Sequence, residues 1–329
     1  MQSPRVLGVS VVVMALAAAV SGQTQDPAEK AASILAESRK ALGGDDKLAA
    51  VKTIEIKGTA RRGAGDVNIE GDMTIVMERP GKYLRKEQIL LGNGGIDVIE
   101  GLNGTDAWQE QKFSGGMNFD DGGDGGRRGG GGFRGGGLPG QQQTPAAAAT
   151  PDEAAKQAQL AARQAEVARV ILALLLTTDQ PVKWTGTAVT PQATAEVLEM
   201  ASPDGNPVRL LIDSKTYMPL MLTWTGVAQD PIAALAARAG FRGRGRGGRG
   251  GFFGGRQGQQ QQQQGAKVAS ADELAKPTAL RMFLSDYKTV NGIKLPHLLV
   301  RGAGDNVTEE WEIKSYKVNP TLKADAFKK

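Results

Sequence analysis

The stretch that decides the fold is Thr278–Lys317, TALRMFLSDYKTVNGIKLPHLLVRGAGDNVTEEWEIKSYK. Its first part alternates apolar residues such as Met282 and Leu284 with a mostly polar set, which is the period of a half-buried strand. Asn291 and Gly292 separate two apolar runs, and both residues tolerate the positive φ of a type I′ hairpin turn. The stretch therefore predicts consecutive antiparallel strands with one apolar and one solvated face.

A second turn, at Gly302–Asn306, leads into the third strand of this meander. Alternation predicts that one face of the third strand carries Val307, Glu309, Trp311, Ile313 and Ser315. An apolar sheet face of this size needs a cover, so the function of the protein depends on what lies against it.

The same alternation, with turn residues at short intervals, predicts nine further strands. They are Thr53–Ala60, Val67–Glu78, Tyr83–Leu91, Ile96–Glu100, Thr105–Phe113, Val182–Val189, Ala195–Ala201, Pro207–Asp213 and Pro219–Thr225. The total is about eleven or twelve strands. Because they do not alternate with helices as βαβ units, one large antiparallel sheet is expected rather than a parallel nucleotide-binding sheet.

Two amphipathic helices are predicted as the cover. Asp26–Gly43 begins with a candidate N-cap, Asp26, followed by Pro27 at the first helical position. Pro151–Leu176 follows a second candidate cap, Thr150, and its second half is apolar at helical spacing. The helix residues expected to face the sheet are Leu35, Leu42, Ile171 and Leu175.

Residues 1–22 have the composition of a secretory signal peptide, with Arg5 before the apolar core Val6–Val20. That core is shorter than the about 20 residues that span a bilayer, so cleavage is preferred to an uncleaved anchor. The chain has no cysteine, which excludes disulfides, thiolate metal sites and lipidation of a cysteine. We expect export to the periplasm or cell envelope and no transmembrane span after cleavage.

Two Gly-, Arg- and Gln-rich inserts, residues 114–146 and 240–265, are predicted to be disordered because they lack the apolar bulk to offset the ordering entropy of glycine. The expected organisation is a signal peptide at 1–22 and a single domain at 23–329 that these inserts interrupt. The net charge of +5 arises partly from arginines in the inserts and says little about the folded surface.

The chain resembles the LolA-like outer-membrane lipoprotein-sorting proteins, the periplasmic lipoprotein-carrier superfamily. The resemblance spans most of Ala28–Phe327 and is one of pattern and order, without a catalytic signature. The segments that carry it are ALGGDDKLAAVKTIEIKG, MERPGKYLRKE, GLNGTDAWQ, VRLLIDSKTYMPLMLTW and SDYKTVNGIKLPHLLVRGAGDNVTEEWEIKSYKVNPTLKADAF.

The resemblance implies an α+β fold: a strongly curved antiparallel sheet, or half-barrel, with helices covering its concave face. It also implies that lipid or lipoprotein acyl chains bind between sheet and helices. The candidate lining residues are Ile54, Ile56, Met73, Ile75, Met77, Leu210, Ile212, Met221, Met282 and Leu284. The alternative is that all ten are ordinary core packed on the two helices.

In the carrier family, an arginine near the start of the sheet holds the lid closed through backbone carbonyls, and Arg61 and Arg62 occupy a comparable place here. The two Gly/Arg inserts depart from the family pattern. They leave open whether lipoprotein trafficking is the task of this chain.

The second insert supports a different function, an envelope interaction module. Its arginines, with nearby Phe252, resemble segments that bind phosphate and stack on bases. The preferred interpretation of this segment is a flexible loop without a ligand. Of the two binding functions, an exported chain favours an anionic surface, such as a membrane, over nucleic acid. The arginines are Arg242, Arg244, Arg246 and Arg249.

Other chemistry finds little support in the sequence. His297, the one histidine, has no nearby serine or cysteine pattern and is expected to be structural. The acidic group at Asp120, Asp121 and Asp124 lacks the spacing of a calcium loop and is expected to be a solvated patch. We therefore expect a binding protein without metal or cofactor rather than an enzyme.

Overall fold

The computed structural model describes residues 26–64, 67–91, 94–115, 153–189, 193–227 and 276–329. The predicted signal peptide, nearly all of the first insert and the whole of the second lie outside these residues. Ser114 and Gly115, placed at the start of the first insert by the sequence, belong instead to a strand.

Twelve antiparallel strands form one sheet in the described part of the chain. They are β1 (Thr53–Ala64), β2 (Val67–Glu78), β3 (Lys82–Leu91), β4 (Gly94–Asn103), β5 (Asp106–Gly115), β6 (Val182–Val189), β7 (Thr194–Met200), β8 (Val208–Asp213), β9 (Pro219–Gly226), β10 (Thr278–Val290), β11 (Ile293–Ala303) and β12 (Asn306–Val318). The order is β5-β4-β3-β2-β1-β12-β11-β10-β9-β8-β7-β6, so β5 and β6 are the outer edges and the sheet is not closed. With its helices, this sheet confirms the predicted α+β half-barrel.

The β10–β11 turn has the predicted geometry. Asn291 and Gly292 have φ of 50° and 77°, the left-handed values of a type I′ turn, and Val290 pairs with Ile293 across it. This two-residue turn fixes the register of the hairpin, so every alternate side chain has its face assigned.

The prediction for the face of β12 is correct at its centre and wrong at both ends. Trp311 and Ile313 are buried as expected, but Val307 is 60% exposed and Ser315 is exposed. The β1–β12 register shifts between Lys57 and Gly58, which is a β-bulge. Because a bulge adds one residue to one strand, Tyr316 rather than Ser315 is buried beyond it.

Within the described ranges, three helices accompany the sheet: α1 (Pro27–Leu42), the short α2 (Asp45–Ala49) and α3 (Glu153–Leu175). Asp26 caps α1 by accepting a hydrogen bond from the Ala28 amide at 2.9 Å, with Pro27 at the first position. α1 packs chiefly on β6 and β11, whereas α3 reaches from β5 to β9. The two helices therefore cover different parts of the same face.

The C-terminal end of α1 is seated on the β10–β11 turn. Gly43 has φ of 134°, and a Cβ there would lie 2.4 Å from the Gly292 carbonyl oxygen. Only glycine permits both the backbone angle and this approach. The hairpin that organises the sheet thus also positions the first helix.

The main core lies between the concave face and the two helices. α1 contributes Leu35 and Leu42, and α3 contributes Val170, Leu174 and Leu175, all almost fully buried. Among the described residues, no helix is long and apolar enough to cross a membrane.

Candidate functional site

Nine of the ten predicted lining residues belong to the main core under the helices, and each is almost fully buried. Of the four predicted helix contacts, Leu35, Leu42 and Leu175 are buried there and Ile171 is partly buried. The sequence therefore identified the concave face, whose side chains here pack directly on α1 and α3. The nine are Ile54, Ile56, Met73, Ile75, Met77, Leu210, Ile212, Met282 and Leu284.

Met221 does not lie with the other nine. It packs with Leu211 and Ala195 in a separate cluster, while its neighbour Leu222 belongs to the main core opposite Leu210. Successive residues of a strand point to opposite faces, so only one of these two can face the helices. At this position of β9, Leu222 rather than the predicted Met221 faces the helices.

An open cleft of about 580 Å³ runs beside α3, where the helix meets the turns and strand ends of the sheet. This volume is within the about 300–1,000 Å³ typical of small-molecule sites. Its apolar lining residues come from the segment before β1 and from β4, α3, β7 and β8, and all of them except Ile171 are almost fully buried: Val51, Leu102, Val167, Ile171, Leu172, Met200 and Val208.

Ile171 is the one predicted site residue that lines this cleft. The remaining walls escaped the sequence analysis because they come from strand ends and turns, where the alternation that marks a lining face stops. Polar lining residues include Gln164, Thr178 and Asp179, and the cations Lys52 and Arg79 lie at the β1 and β2 ends.

Beneath α3 the concave face changes from apolar to ionic. Glu309, on β12, accepts hydrogen bonds from Arg62 on β1 and Arg85 on β3. Glu87 accepts from the same two arginines, at 2.7 Å and 2.8 Å for its Oε2. All four side chains are buried, so each charge is compensated by a partner rather than by water.

α3 is fastened to this ionic region by ion pairs of opposite polarity. Arg163 on the helix donates to Glu100 on β4 at 2.8 Å. Three residues further along, Glu166 accepts from Arg301 on β11. Because the helix presents a cation to one strand and an anion to another, these contacts fix both its position and its rotation.

The network alters the acidity of its carboxyl groups. Burial alone would raise the pKa of Glu309, but the guanidinium groups of Arg85, Arg62 and Arg301 outweigh it and hold that pKa well below its usual range. At Glu100, burial is likewise outweighed by Arg163, which lowers the pKa. Both groups are therefore anionic in the folded protein at neutral pH.

The two arginines near the start of the sheet pair with carboxylates, and a third arginine joins the two helices. Arg62 pairs with the carboxylates described above, and Arg61 pairs with Glu70 at the surface. Arg39, in the last turn of α1, instead donates to the Leu176 carbonyl just beyond α3, from Nη2 at 2.9 Å and Nε at 3.2 Å. It links the two helices, and sequence could not assign this role because many arginines lie at helix ends.

His297 is buried against Tyr316, with the two rings edge to face at 5.2 Å between centroids. Its Nδ1 lies 3.1 Å from the Leu295 carbonyl oxygen. These contacts agree with the structural role predicted for it. No cluster of three or more potential metal-ligating side chains occurs in the described ranges.

The remaining predicted groups fall outside the described residues. These are the acidic group at residues 120–124 and the four arginines of the second insert, Arg242, Arg244, Arg246 and Arg249. The predicted envelope interaction module therefore stays a prediction.

No protein-family model matches this chain, and no curated protein matches it. Among solved structures it is similar to a DUF1329 family protein from Desulfovibrio piger, with a TM-score of 0.43, 8% identity, and coverage of 92% of this chain and 98% of that one. A LolA superfamily protein from Nitrosomonas europaea matches with a TM-score of 0.41 and 9% identity, over 91% and 97% of the two chains. A putative outer membrane lipoprotein-sorting protein domain from Vibrio parahaemolyticus matches with a TM-score of 0.40 and 10% identity, over 92% and 97%.

Proposed function

We propose that this protein is an exported, non-enzymatic carrier-like protein of the periplasm or cell envelope that holds a lipid or lipoprotein acyl chain between its sheet and helices. The observation that carries the proposal is the open, apolar-walled cleft between α3 and the strand ends. Each methylene group removed from water contributes about 0.8 kcal/mol, so an acyl chain along these walls gains binding energy without any catalytic chemistry.

The long helix is the movable part in this proposal. Residues 153–159 of α3 are exposed, and its second half is held by packing and by directional polar contacts. When the helix lifts, water hydrates the polar groups that it releases, while the entering acyl chain covers the apolar residues that its second half exposes. The cleft then becomes continuous with the apolar concave face, which includes the adaptable side chains Met73, Met77 and Met282.

Filling the cleft tests the proposal. Ala168 is exposed on α3 and lines the cleft, so Ala168→Trp places an indole where the acyl chain is expected. Ala158 is exposed on the same helix away from the cleft, and Ala158→Trp is the matched control. Binding is measured by titration with a fluorescent fatty acid, and native mass spectrometry with lipid extraction identifies what the purified protein carries.

We expect the unmodified protein and Ala158→Trp to bind one acyl chain with the same affinity. We expect Ala168→Trp to lose at least about tenfold, because a tryptophan excludes several methylene groups from the walls. Equal binding by both variants would show that the chain does not lie in this cleft. An unmodified protein that carries no lipid and takes up no fatty acid would end the proposal.

A further inference from the structure

We infer that the cleft selects an amphiphile with an anionic head, a carboxylate or a phosphate, which binds between Lys52 and Arg79 while its single acyl chain lies along α3. The inference rests on the proposed function, since it names the class of ligand for the same cleft. It depends on where these two cations lie and on what their charges face.

Lys52 and Arg79 are neighbours across the first two strands. Lys52 immediately precedes β1 and Arg79 immediately follows β2, and the Arg79 amide donates to the Lys52 carbonyl at 2.9 Å. Both residues line the cleft. Two like charges on adjacent strands repel each other and destabilise this end of the sheet. An anion bound between the two side chains would remove that repulsion.

Neither cation forms an ion pair with a carboxylate of the described residues. The Arg79 guanidinium donates from Nη1 to the Val51 carbonyl at 3.1 Å, which leaves other N–H groups of its fork for a ligand. The nearest acid along the chain, Glu78, is occupied by Lys82 at 2.7 Å.

The other charges of the cleft lining do not cancel these two. Arg169 is paired with Asp204, outside the lining, and also stacks over Trp224. Asp179, on the segment that follows α3, is the one acidic residue of the lining among those the structure describes. With Arg169 neutralised, two cations stand against a single carboxylate, and the lining has a net positive charge.

An apolar wall with an unpaired cationic end matches an amphiphile, whose two parts require different surroundings. Val51 joins the two environments, because its carbonyl binds Arg79 while the residue also lines the cleft. A fatty acid supplies a carboxylate head and a lysophospholipid supplies a phosphate. A neutral lipid with the same chain could fill the wall and would leave the cations unpaired.

The test compares three ligands of equal chain length: a fatty acid, a lysophosphatidic acid and a monoacylglycerol. Each is titrated against the unmodified protein and the double variant Lys52→Gln/Arg79→Gln. Lys183→Gln, at an exposed position of β6 away from the cleft, controls for the loss of one positive charge. The single variant Lys52→Gln and the charge-conserving Arg79→Lys separate loss of charge from loss of the Val51 contact, and circular dichroism confirms that each variant folds.

We expect both anionic ligands to bind more tightly than the monoacylglycerol, with the tighter of the two identifying the head group. The double variant should lose about tenfold for the anions and nothing for the monoacylglycerol, while Lys183→Gln binds like the unmodified protein. The preference for anions should shrink when salt is raised from 0.05 to 0.5 M, since exposed charges are then screened.

Equal affinity for the neutral and anionic ligands, or unchanged anion binding by the double variant, would overturn this inference and leave the proposed function standing. If none of the three ligands binds the unmodified protein, the proposed function fails and the inference fails with it. The monoacylglycerol result distinguishes the two outcomes, because it reports on the apolar wall alone.

Discussion

Two regions of the concave face, both covered by helices, are held together in opposite ways. In the first region, apolar side chains such as Ile75 and Met282 pack on α1 and on the second half of α3. In the second, beneath the middle of α3, Glu309 and Glu87 pair with buried arginines. We call these the apolar region and the ionic region.

The two regions differ in how strongly their contacts depend on the orientation of the side chains. Apolar contacts depend on area and volume, so one side chain, or a ligand of similar shape, can replace another. Ionic contacts depend on geometry, and a buried charge that loses its partner is costly. In the apolar region, one apolar side chain can therefore be replaced by another or by a ligand of similar shape. The ionic region determines the position of α3.

Removal of the central charge should have the largest effect. Glu309→Gln keeps the shape of the side chain and leaves Arg62, Arg85 and Arg301 short of one negative charge, so we expect a loss of about 3–5 kcal/mol in the free energy of unfolding. Urea denaturation measures it. The control is Glu312→Gln on the same strand, whose carboxylate is 53% exposed and pairs with Arg61. We expect that control to lose less than about 1 kcal/mol, and a similar loss in both variants would contradict the distinction.

Acid should weaken the ionic region selectively. The folded pKa of Glu309 lies below its unfolded value of about 4.3, so its contribution is fully present above that pH and is lost as pH falls below it. Between the unfolded and the folded pKa, each pH unit of acidification costs about 1.4 kcal/mol of stability for one such carboxylate, because the unfolded chain takes up the proton more readily. Unfolding of the parent protein and of Glu309→Gln between pH 7 and 3 measures it, and the parent should show the steeper decline. Parallel curves would show that Glu309 is not the group responsible.

The contact between α1 and the end of α3 should have an intermediate effect. Arg39→Met removes the two hydrogen bonds to the Leu176 carbonyl, and because the Arg39 side chain is 30% exposed we expect a loss of about 1 kcal/mol. Hydrogen exchange should show lower protection at the C-terminal end of α3. Lys40→Met, next to it and mostly exposed, is the matched control. Equal exchange in both variants would show that Arg39 does not couple the helices.

A volume-conserving change in the apolar region should have the smallest effect. Met282 is fully buried, and Met282→Leu keeps its apolar character and about its volume, so we expect less than about 1 kcal/mol of destabilisation. Met282→Ala creates a cavity and should cost about 2–5 kcal/mol in the same assay, which confirms that the site is packed. A cost for Met282→Leu as large as that of Glu309→Gln would remove the contrast between the regions.

The apolar region could be predicted from sequence because its signals are local. The Asn291-Gly292 turn and the alternation in β2 and β10 each lie within a single segment. The prediction for Met221 was wrong because this local signal is missing there. It sits in a continuous apolar run, Leu220–Leu222, where alternation does not say which residue faces inward.

The ionic region could not be predicted in the same way. Glu309 was placed on the inward face beside Trp311, which is correct, but its partners come from β1, β3 and β11. No spacing rule connects residues that meet only when the sheet is complete. The cleft depends similarly on turns and strand ends, whose relative positions follow from the tertiary fold.

The pairing of β1 with β12 has a consequence for how the protein folds. These two strands, the first and the last of the described part of the chain, meet in the interior of the sheet. β1 ends a group of five strands, β1 to β5, and β12 ends a group of seven, β6 to β12. Until β12 pairs with β1, the chain holds two separate half-sheets with no strand to join them. Such non-local pairing slows folding, so the joining of the two half-sheets is expected to be a late step.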